Sequence, residues 1–264
     1  MMEQNTVRHT FVVCAYKESP YLEKCIESLM EQTVESRIIV ATSTPNELIS
    51  GICEKYDLPL RVNENHTGIA GDWNFAMEQA DTELVTIAHQ DDIYYPAYTE
   101  SILKAYADDA LIIFTDYAEI RNGKTVLANV NLRIKRILLL PLRISLLQGS
   151  PFVRRRSLSM GNPICCPAVT YVRKNLPHPF FTEHFRSNVD WDAWERISKN
   201  KGKFVYIHKV LIGHRIHSGS ETSATIEGSV RSGEDMEIFG RFWPPCVAGF
   251  INRFYVKSEK SNVL

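Results

Sequence analysis

The sequence predicts an α/β fold in which a mostly parallel central sheet is flanked by helices. Short apolar runs of strand length alternate with segments of helical period through the first half of the chain. The apolar runs are nearly uninterrupted, as expected for strands that are covered on both faces. With 264 residues, of which 44% are hydrophobic and 23% charged, the chain can also form one large globular core.

The predicted elements alternate along the chain. Strands are predicted over residues 9–15, 37–41, 60–62, 84–88 and 111–116, and helices over residues 21–32, 47–56, 68–79 and 97–106. Leu22, Cys25 and Leu29 give the first helix its apolar period, and Pro96 suits the start of the last. Asn122-Gly123 predicts a hairpin turn. Because helices that join parallel strands form βαβ units, the carboxyl ends of these strands should meet at one edge.

The strand predicted over residues 84–88 is followed by two adjacent carboxylates, Asp91 and Asp92. Ligands of open α/β sheets bind beyond the carboxyl ends of the strands, where carboxylates can hold a divalent cation against phosphate oxygens. The alternative is that the pair forms a turn or caps the next helix. The position predicts a nucleotide-binding type of α/β domain in the first half of the chain.

A basic stretch follows that domain. No acidic residue occurs between Glu119 and Glu183, whereas cations accumulate from Arg121 to Arg156. Within residues 130–158 the cations alternate with leucine and isoleucine, which favours an amphipathic element on an anionic membrane surface. The alternative is a helix that packs on the core and exposes a solvated basic face. A nucleic-acid groove is disfavoured because aromatic residues for base stacking are sparse there.

Composition disfavours several other classes of protein. The six cysteines are scattered without the spacing of a zinc site, which predicts reduced, mostly core-filling thiols. The net charge of −1 gives no general attraction to nucleic acid. No apolar stretch reaches the roughly 20 residues of a spanning helix, and Met1 to Asn5 lack the features of a secretory signal. These features predict a cytoplasmic location.

Four short motifs follow one another along the chain. They are Val12-Val13-Cys14-Ala15-Tyr16-Lys17-Glu18, His89-Gln90-Asp91-Asp92, Asn188-Val189-Asp190-Trp191-Asp192-Ala193-Trp194 and Arg215-Ile216-His217-Ser218-Gly219-Ser220. In this order they resemble motifs of the family-2 glycosyltransferases, inverting enzymes with the GT-A fold. The motifs are similar, in turn, to the nucleotide-contacting first strand, the metal-binding Asp-x-Asp-Asp, the Glu-Asp-Trp-Asp-x-Trp segment with the general base, and an Arg-x-His-x-x-Ser signature. The resemblance covers essentially the whole chain.

The resemblance implies a site for a nucleotide-diphosphate sugar, with UDP as the expected nucleotide. The residues implied to bind this donor are Ala15, Tyr16, Glu18, Thr42, Asp72, Asn74, His89, Gln90 and Asp91. The chain departs from the family pattern at Thr42-Ser43, where Asp-Asp often binds the base, and at Asp72-Trp73-Asn74, where Ala-Arg-Asn is common. Asp72 is therefore expected to take over the base contact.

The resemblance also implies a divalent cation, Mn²⁺ or Mg²⁺, at the donor diphosphate. Asp91, Asp92 and His217 are the implied metal-binding residues, with Asp91 as the direct ligand and Asp92 in support. Hard oxygen donors suit both ions, and a nitrogen ligand from His217 favours Mn²⁺ slightly. His89 stands where the family usually has its first aspartate, so the ion should be held more weakly. The alternative for His89 is a buried hydrogen-bonding role in the fold.

Asp190 aligns with the general base of the family, which takes the proton of the acceptor hydroxyl. The alternative is that Asp190 caps the helix predicted over residues 191–199, and the two roles are compatible. Asn162, Trp191 and Asp192 are implied to contact the acceptor, with Trp191 stacking on a sugar. Trp191 in the core and Asp192 on a solvated helix face are the alternatives.

Three segments are expected. Residues 1–228 form the GT-A domain, with a nucleotide-sugar half over 7–120 and an acceptor half over 121–228, and residues 229–264 form a C-terminal helical extension. The implied reaction is transfer of a hexose or N-acetylhexosamine to a glycan or polyprenyl-diphosphate-linked acceptor during cell-surface polysaccharide synthesis. The membrane surface contacting Arg133 to Arg156 would then be the inner face of the cytoplasmic membrane, and no nucleic acid takes part. The alternatives are a sugar nucleotidyltransferase and a catalytically weak nucleotide-sugar-binding protein.

Overall fold

The computed structural model describes residues 7–65, 68–217 and 230–259, which form one nine-stranded sheet with helices packed around it. The strands are β1 (His9–Ala15), β2 (Arg37–Thr42), β3 (Leu60–Val62), β4 (Leu84–His89), β5 (Ile93–Tyr94), β6 (Ala110–Arg121), β7 (Lys124–Val126), β8 (Val169–Val172) and β9 (Lys203–Ile216). The helices are α1 (Leu22–Met30), α2 (Glu47–Lys55), α3 (Ile69–Gln79), α4 (Tyr98–Ala105), α5 (Val130–Leu139), α6 (Pro151–Leu158), α7 (Val189–Ile197), α8 (Val230–Gly240) and α9 (Pro245–Glu259). The prediction of an α/β fold is confirmed.

The first four strands of the sheet, in the order β3-β2-β1-β4, are all parallel. β1 lies at the centre of this half, where Val13 pairs with Val40 of β2 and with Ala88 of β4. The apolar runs fit this position because helices cover both faces of a parallel sheet. As a result, the chain leaves β1 at Ala15 and β4 at His89 on the same edge.

The second half of the sheet is mixed, which corrects the prediction of a mostly parallel sheet. β8 runs antiparallel between β4 and β6, and β5 and β7 are also antiparallel to their neighbours, whereas β6 and β9 are parallel. The connection from β7 to β8 contains α5, α6 and three short 3-10 turns, and it returns the chain to the sheet antiparallel to β4 and β6. The hairpin predicted at Asn122-Gly123 joins β6 to β7, and both residues adopt positive φ, 48° and 75°.

The basic segment folds into α5, two 3-10 turns (Leu140–Arg143 and Ser145–Leu147) and α6. Leu132, Leu139, Leu142 and Leu158 are buried and attach this segment to the core. Other large apolar side chains of the segment stay between 46% and 87% exposed. They are Val130, Ile134, Ile137, Leu140, Ile144, Leu146 and Phe152. The segment therefore packs on the core and also presents an apolar surface.

α8 and α9 pack against α7 through aromatic side chains. The ring of Trp191 on α7 contacts Phe239 of α8 and Tyr255 of α9, at centroid distances of 5.1 Å and 5.6 Å. Within the described ranges, no helix combines the length and the apolar character needed to cross a bilayer. Three expectations fall on residues outside the described ranges: the start at Met1 to Asn5, the boundary between residues 228 and 229, and Ser218 to Ser220 of the fourth motif.

Candidate active site

The loops that leave β1 and β4 are joined by a side chain. The Gln90 amide accepts a hydrogen bond from the backbone N–H of Tyr16 at 3.0 Å and donates one to the Tyr16 carbonyl at 2.9 Å. The next residue, Lys17, has a φ of 53° and donates its N–H to Thr44 Oγ1. Ala15 is buried below this loop, while Tyr16 and Glu18 are exposed on it, with Tyr16 at 41%. The predicted donor residues 15, 16, 18 and 90 thus share one edge of the sheet.

Asp91 lies directly beside His217, at the end of β9. The distance between His217 Nε2 and Asp91 Oδ2 is 3.0 Å, and Ser19 Oγ donates to Asp91 Oδ1 at 3.0 Å. Both side chains are partly open to solvent, 22% for Asp91 and 21% for His217. The fold therefore brings together two residues that are 126 positions apart in sequence. A carboxylate oxygen and an imidazole nitrogen at this separation suit a divalent cation.

Asp92 is turned away from this pair and is only 1% exposed. Its Oδ1 lies 3.0 Å from His214 Nδ1 and accepts a hydrogen bond from the Arg215 N–H at 2.8 Å. Burial opposes ionisation, but His214 outweighs it and lowers the pKa of Asp92. Asp92 is therefore corrected from a metal-binding residue to one that fixes β9 against the loop after β4.

In the described part of the chain, no group of three or more His, Cys, Asp or Glu side chains is arranged to hold a metal ion. The reason is the orientation of Asp92, which leaves Asp91 and His217 as a pair. A cation held there would need further oxygen ligands from substrate phosphates or water.

Arg215 is a functional candidate that sequence reasoning missed. Its Nε donates to the Asp91 carbonyl at 2.9 Å, and its guanidinium lies 4.3 Å from the centre of the Tyr21 ring. Arg215, Tyr21 and His217 line a cavity of about 250 Å³ together with the Asn122-Gly123 turn. The Arg-x-His spacing was the available signal, because alternate residues of a strand point to the same side.

His89 lies against Trp73 of α3, with ring centroids 5.4 Å apart and planes at 25°. Its Nε2 is enclosed and has no hydrogen-bond partner in the described structure. Burial lowers the pKa of His89, so the ring is neutral at neutral pH. The side chain is thus an enclosed, neutral imidazole at the donor edge. Trp73 was not among the predicted site residues, although an aromatic residue next to Asp72 could have suggested it.

Asp72 is held by two neighbours. Ser43 Oγ donates to one of its carboxylate oxygens and Asn63 Nδ2 to the other, each at 2.8 Å. Thr42 is buried and its Oγ1 accepts a hydrogen bond from the Thr44 N–H. Asp72 is thus placed beside the loop after β2, whereas Thr42 shapes that loop. Asn63, a buried residue after the short strand β3, gave no sequence signal.

Asn74 does not face the donor. Its Oδ1 accepts hydrogen bonds from the N–H groups of Phe180 and Phe181, and its Nδ2 donates to the Phe181 carbonyl. The whole amide is therefore used to attach the loop before α7 to α3. The prediction that Asn74 binds the donor is corrected to this structural role.

Asp190 and Asn162 form the predicted base and its neighbour. Asn162 Nδ2 donates to Asp190 Oδ2 at 2.8 Å, and the Trp191 N–H donates to Oδ1 at 2.7 Å. Burial raises the pKa of Asp190, and these two hydrogen bonds only partly offset the effect. The N-cap of α7 is Asn188, so Asp190 lies in the first turn of the helix and does not cap it. Its position leaves it available for proton transfer.

Trp191 and Asp192 belong to the interior, which corrects both acceptor predictions. Trp191 is 0% exposed, and its Nε1 donates to the Leu158 carbonyl at 3.2 Å. Asp192 is also buried, and its carboxylate accepts hydrogen bonds from Thr182, Arg196 and Arg241. The ring of Trp191 cannot stack on a sugar without leaving the core.

Cys165 is a buried residue in the loop before β8. Burial raises the pKa of its thiol, and the charges of Asp92 and Asp190 raise it further.

A family model described as "Glycosyl transferase family 2" matches residues 10–176. A curated relative, "Putative glycosyltransferase EpsH" from Bacillus subtilis (strain 168), is 26% identical over 114 residues, which are 41% of this chain and 33% of the relative. The matched stretch is thus about a third of that protein.

Solved structures share the fold at low sequence identity. TarS 1-349 of S. aureus, in complex with UDP-GlcNAc, has a TM-score of 0.59 and 18% identity, covering 93% of this chain and 70% of that one. A longer TarS chain is covered to 43%. The mannosyltransferase PcManGT from Pyrobaculum calidifontis, in complex with GDP-Man and Mn²⁺, has a TM-score of 0.65 and 13% identity, covering 97% and 73%.

The family model covers well over half of the chain, including β1, β4 and the Asp91-Asp92 motif. The solved relatives confirm the predicted GT-A type of α/β fold. This chain belongs to glycosyl transferase family 2.

Proposed function

We propose that the protein is an inverting glycosyltransferase that moves a sugar from a nucleotide-diphosphate donor to an acceptor hydroxyl. The observation that carries this proposal is the contact between Asp91 and His217 at the edge of the sheet, which the fold assembles from residues 126 positions apart. Inverting transfer needs a site for the leaving diphosphate and a base on the opposite face of the sugar. The chain offers one candidate group for each.

The donor would lie along the loops after β1, β2 and β4. Tyr16 on its exposed loop and Asp72, held by Ser43 and Asn63, are the groups placed to contact the nucleobase and ribose. A carboxylate accepts hydrogen bonds from a base edge, and a half-exposed tyrosine ring offers stacking area. UDP is the first nucleotide to test, since a relative of the same fold is in complex with UDP-GlcNAc.

Asp91 and His217 would hold a divalent cation together with phosphate oxygens of the donor. When bound, such an ion stabilises the negative charge of the departing diphosphate. Asp92, Arg215 and Ser19 position the pair, because each contacts Asp91 or the strand that carries His217. Mn²⁺ is the first ion to test, since the ligand set includes a nitrogen.

Asp190 would act as the general base. Its carboxylate takes the acceptor proton while the acceptor oxygen bonds to the anomeric carbon, and the bond from that carbon to the phosphate oxygen breaks. The diphosphate leaves with the electron pair, and the configuration inverts. Asn162 and the Trp191 N–H fix the two carboxylate oxygens, and each oxygen keeps a lone pair for the proton.

The acceptor is proposed to be a glycan or a polyprenyl-diphosphate-linked sugar at the inner face of the cytoplasmic membrane. The exposed apolar side chains of the α5–α6 segment would enter the lipid interface, with Arg133, Arg143 and Arg156 beside them. The structure corrects the cation set of Arg133 to Arg156. Arg136 is paired with Asp116 and Arg155 with Glu195, and buried Arg154 donates to backbone carbonyls.

The catalytic proposal is tested with a panel of nucleotide sugars, with and without Mn²⁺, by following release of the nucleoside diphosphate. We expect metal-stimulated hydrolysis of one or two donors. A sugar nucleotidyltransferase would instead release pyrophosphate from a nucleoside triphosphate and a sugar phosphate. A binding protein of low activity would retain one nucleotide sugar without turnover. Either outcome would overturn the proposal.

The membrane proposal is tested by flotation with vesicles that contain anionic phospholipid. Replacing Arg133, Arg143 and Arg156 by Gln should weaken binding by about 1 kcal/mol per cation. A matched control replaces three exposed cations elsewhere, Lys24, Arg61 and Lys201, and should bind like the wild type. Equal binding of the two triple variants, or no binding of the wild type, would remove the membrane from the proposal.

A further inference from the structure

Lys135 is a partly enclosed cation on α5. Its Nζ donates to Tyr117 Oη at 2.9 Å, and Tyr117 itself is buried on β6. Among the described residues, no carboxylate lies within ion-pair distance of this ammonium group. Burial opposes the charge, but the contact with Tyr117 favours it and the pKa of Lys135 is raised, so the side chain is cationic at neutral pH.

The other partly or fully buried cations of the same segment differ from Lys135. Arg136 is paired with Asp116, Arg155 with Glu195, and Arg154 donates to the carbonyls of Asn200 and Gly202. An enclosed charge costs free energy unless a counter-charge or several hydrogen bonds satisfy it. Lys135 has one hydrogen bond, to the neutral hydroxyl of Tyr117, so its other N–H groups remain for an anion.

Lys135 also lies near the candidate active site. Its charge lowers the pKa of Asp190 and of His214, and it acts on the Cys165 thiol as well. The Tyr117 ring that holds it is 6.0 Å from the His214 ring. Through Tyr117 and His214, the ammonium group is therefore connected to Asp92, the neighbour of Asp91 in the chain.

We infer that Lys135 binds a phosphoryl oxygen of a substrate, an inference that rests on the proposed glycosyl transfer. An ammonium group with two unused N–H donors suits a phosphate oxygen as a point charge. The phosphate has two sources: the diphosphate of the donor, and a phosphate of the acceptor. The acceptor class would be a phosphorylated one in the second case.

A purely structural role for Lys135 is the competing explanation, since the contact with Tyr117 links α5 to β6. Three variants separate the roles. Lys135→Met removes the charge, Lys135→Arg keeps it, and Tyr117→Phe removes the link but keeps the ammonium group. Lys24→Met, at an exposed lysine of α1, is the matched control.

Two binding measurements by calorimetry provide the test. The first titrates UDP, and separately GDP, into the full-length protein with MnCl₂. The second titrates inorganic pyrophosphate into protein already saturated with the nucleotide, which reports an anion site outside the donor pocket. Thermal unfolding of each variant is recorded in parallel.

We expect Lys135→Met to weaken the binding of the nucleotide or of pyrophosphate at least about tenfold, the scale of a charge-assisted hydrogen bond. Lys135→Arg and Tyr117→Phe should stay within about threefold of the wild type by the same reasoning. A loss of nucleotide affinity assigns the phosphate to the donor, and a loss of pyrophosphate affinity alone assigns it to the acceptor. If Lys135→Met binds both anions as the wild type does, or if only thermal stability changes, the inference is wrong. A wild type that binds no nucleotide contradicts the proposed function instead.

Discussion

The donor edge and the acceptor half of this protein use charged side chains in opposite ways. At the donor edge, Asp91, His217 and Tyr16 remain accessible because other polar groups hold them from behind. In the acceptor half, Asp192 and Glu195 are buried among arginines and connect α6, α7 and α8. A charged residue in a motif is thus a ligand candidate only where the fold leaves one of its faces open.

Replacing the proposed base, Asp190, should have the largest effect, and that effect should fall on the transfer rate and not on donor binding. Asp190→Asn keeps the hydrogen bond to Asn162 possible but cannot take a proton, so the rate of transfer should fall by about 10² to 10⁴. Nucleotide affinity should be unchanged, because the donor edge is intact. Steady-state transfer and calorimetry with the nucleoside diphosphate check both parts. Wild-type rates in this variant would assign the base to another group.

Trp191 provides the contrasting case, a motif residue that acts through packing. Trp191→Ala should lower the free energy of unfolding by about 3–5 kcal/mol, because it leaves a cavity between α7, α8 and α9. Trp191→Phe should recover most of this loss. Urea denaturation measures both. If Trp191→Phe is stable but raises the KM for the acceptor strongly, the ring contacts the acceptor and does not act through packing alone.

Asp91 and Asp92 sharpen the comparison within one motif. Asp91→Asn should weaken Mn²⁺-dependent nucleotide binding on the order of 100-fold, and Asp92→Asn only about tenfold, as expected for a group that orients others. With EDTA present, Asp91→Asn and the wild type should bind the nucleotide alike. Equal losses for the two variants would mean that Asp92 also turns to the ion.

The smallest expected effect is on the unfolding temperature and comes from the charge of Asp190. The pKa of Asp190 is raised by burial, so the ionised form destabilises the fold at neutral pH, and its protonated form does not. Asp190→Asn should therefore unfold at a higher temperature than the wild type at pH 7. The difference should shrink as the pH falls through the raised pKa and vanish below about pH 4, near the unfolded value. Unfolding scans from pH 3 to 8 test the sign.

The sequence predicted the donor half well for a physical reason. Parallel strands with apolar runs must lie inside the sheet, so the polar residues that follow them must lie at its edge. This rule placed Gln90 and Asp91 at one edge without any knowledge of tertiary contacts, and the family resemblance added Tyr16. It also located the hairpin at Asn122-Gly123, because few residues tolerate positive φ at both positions.

The same reasoning failed where the outcome depends on which face of a helix is covered. Trp191 and Asp192 could be exposed or buried until α8 and α9 are known to cover them. Asn74 faces a loop more than 100 residues away in sequence, and Asp92 turns to a histidine 122 residues away. Such partners leave no local pattern. The orientation of these side chains is therefore a tertiary property.

The two hydrogen bonds between the Gln90 side chain and the Tyr16 backbone limit how this site can change during evolution or engineering. Gln90 bonds to the backbone of residue 16, so the side chain at position 16 can be exchanged without loss of these hydrogen bonds. Position 90 has no such freedom, since no shorter polar side chain can satisfy both backbone groups at once. A library aimed at donor preference should accordingly randomise position 16 and keep position 90 fixed, and a loop transplanted from a relative should bring its own residue 90 with it.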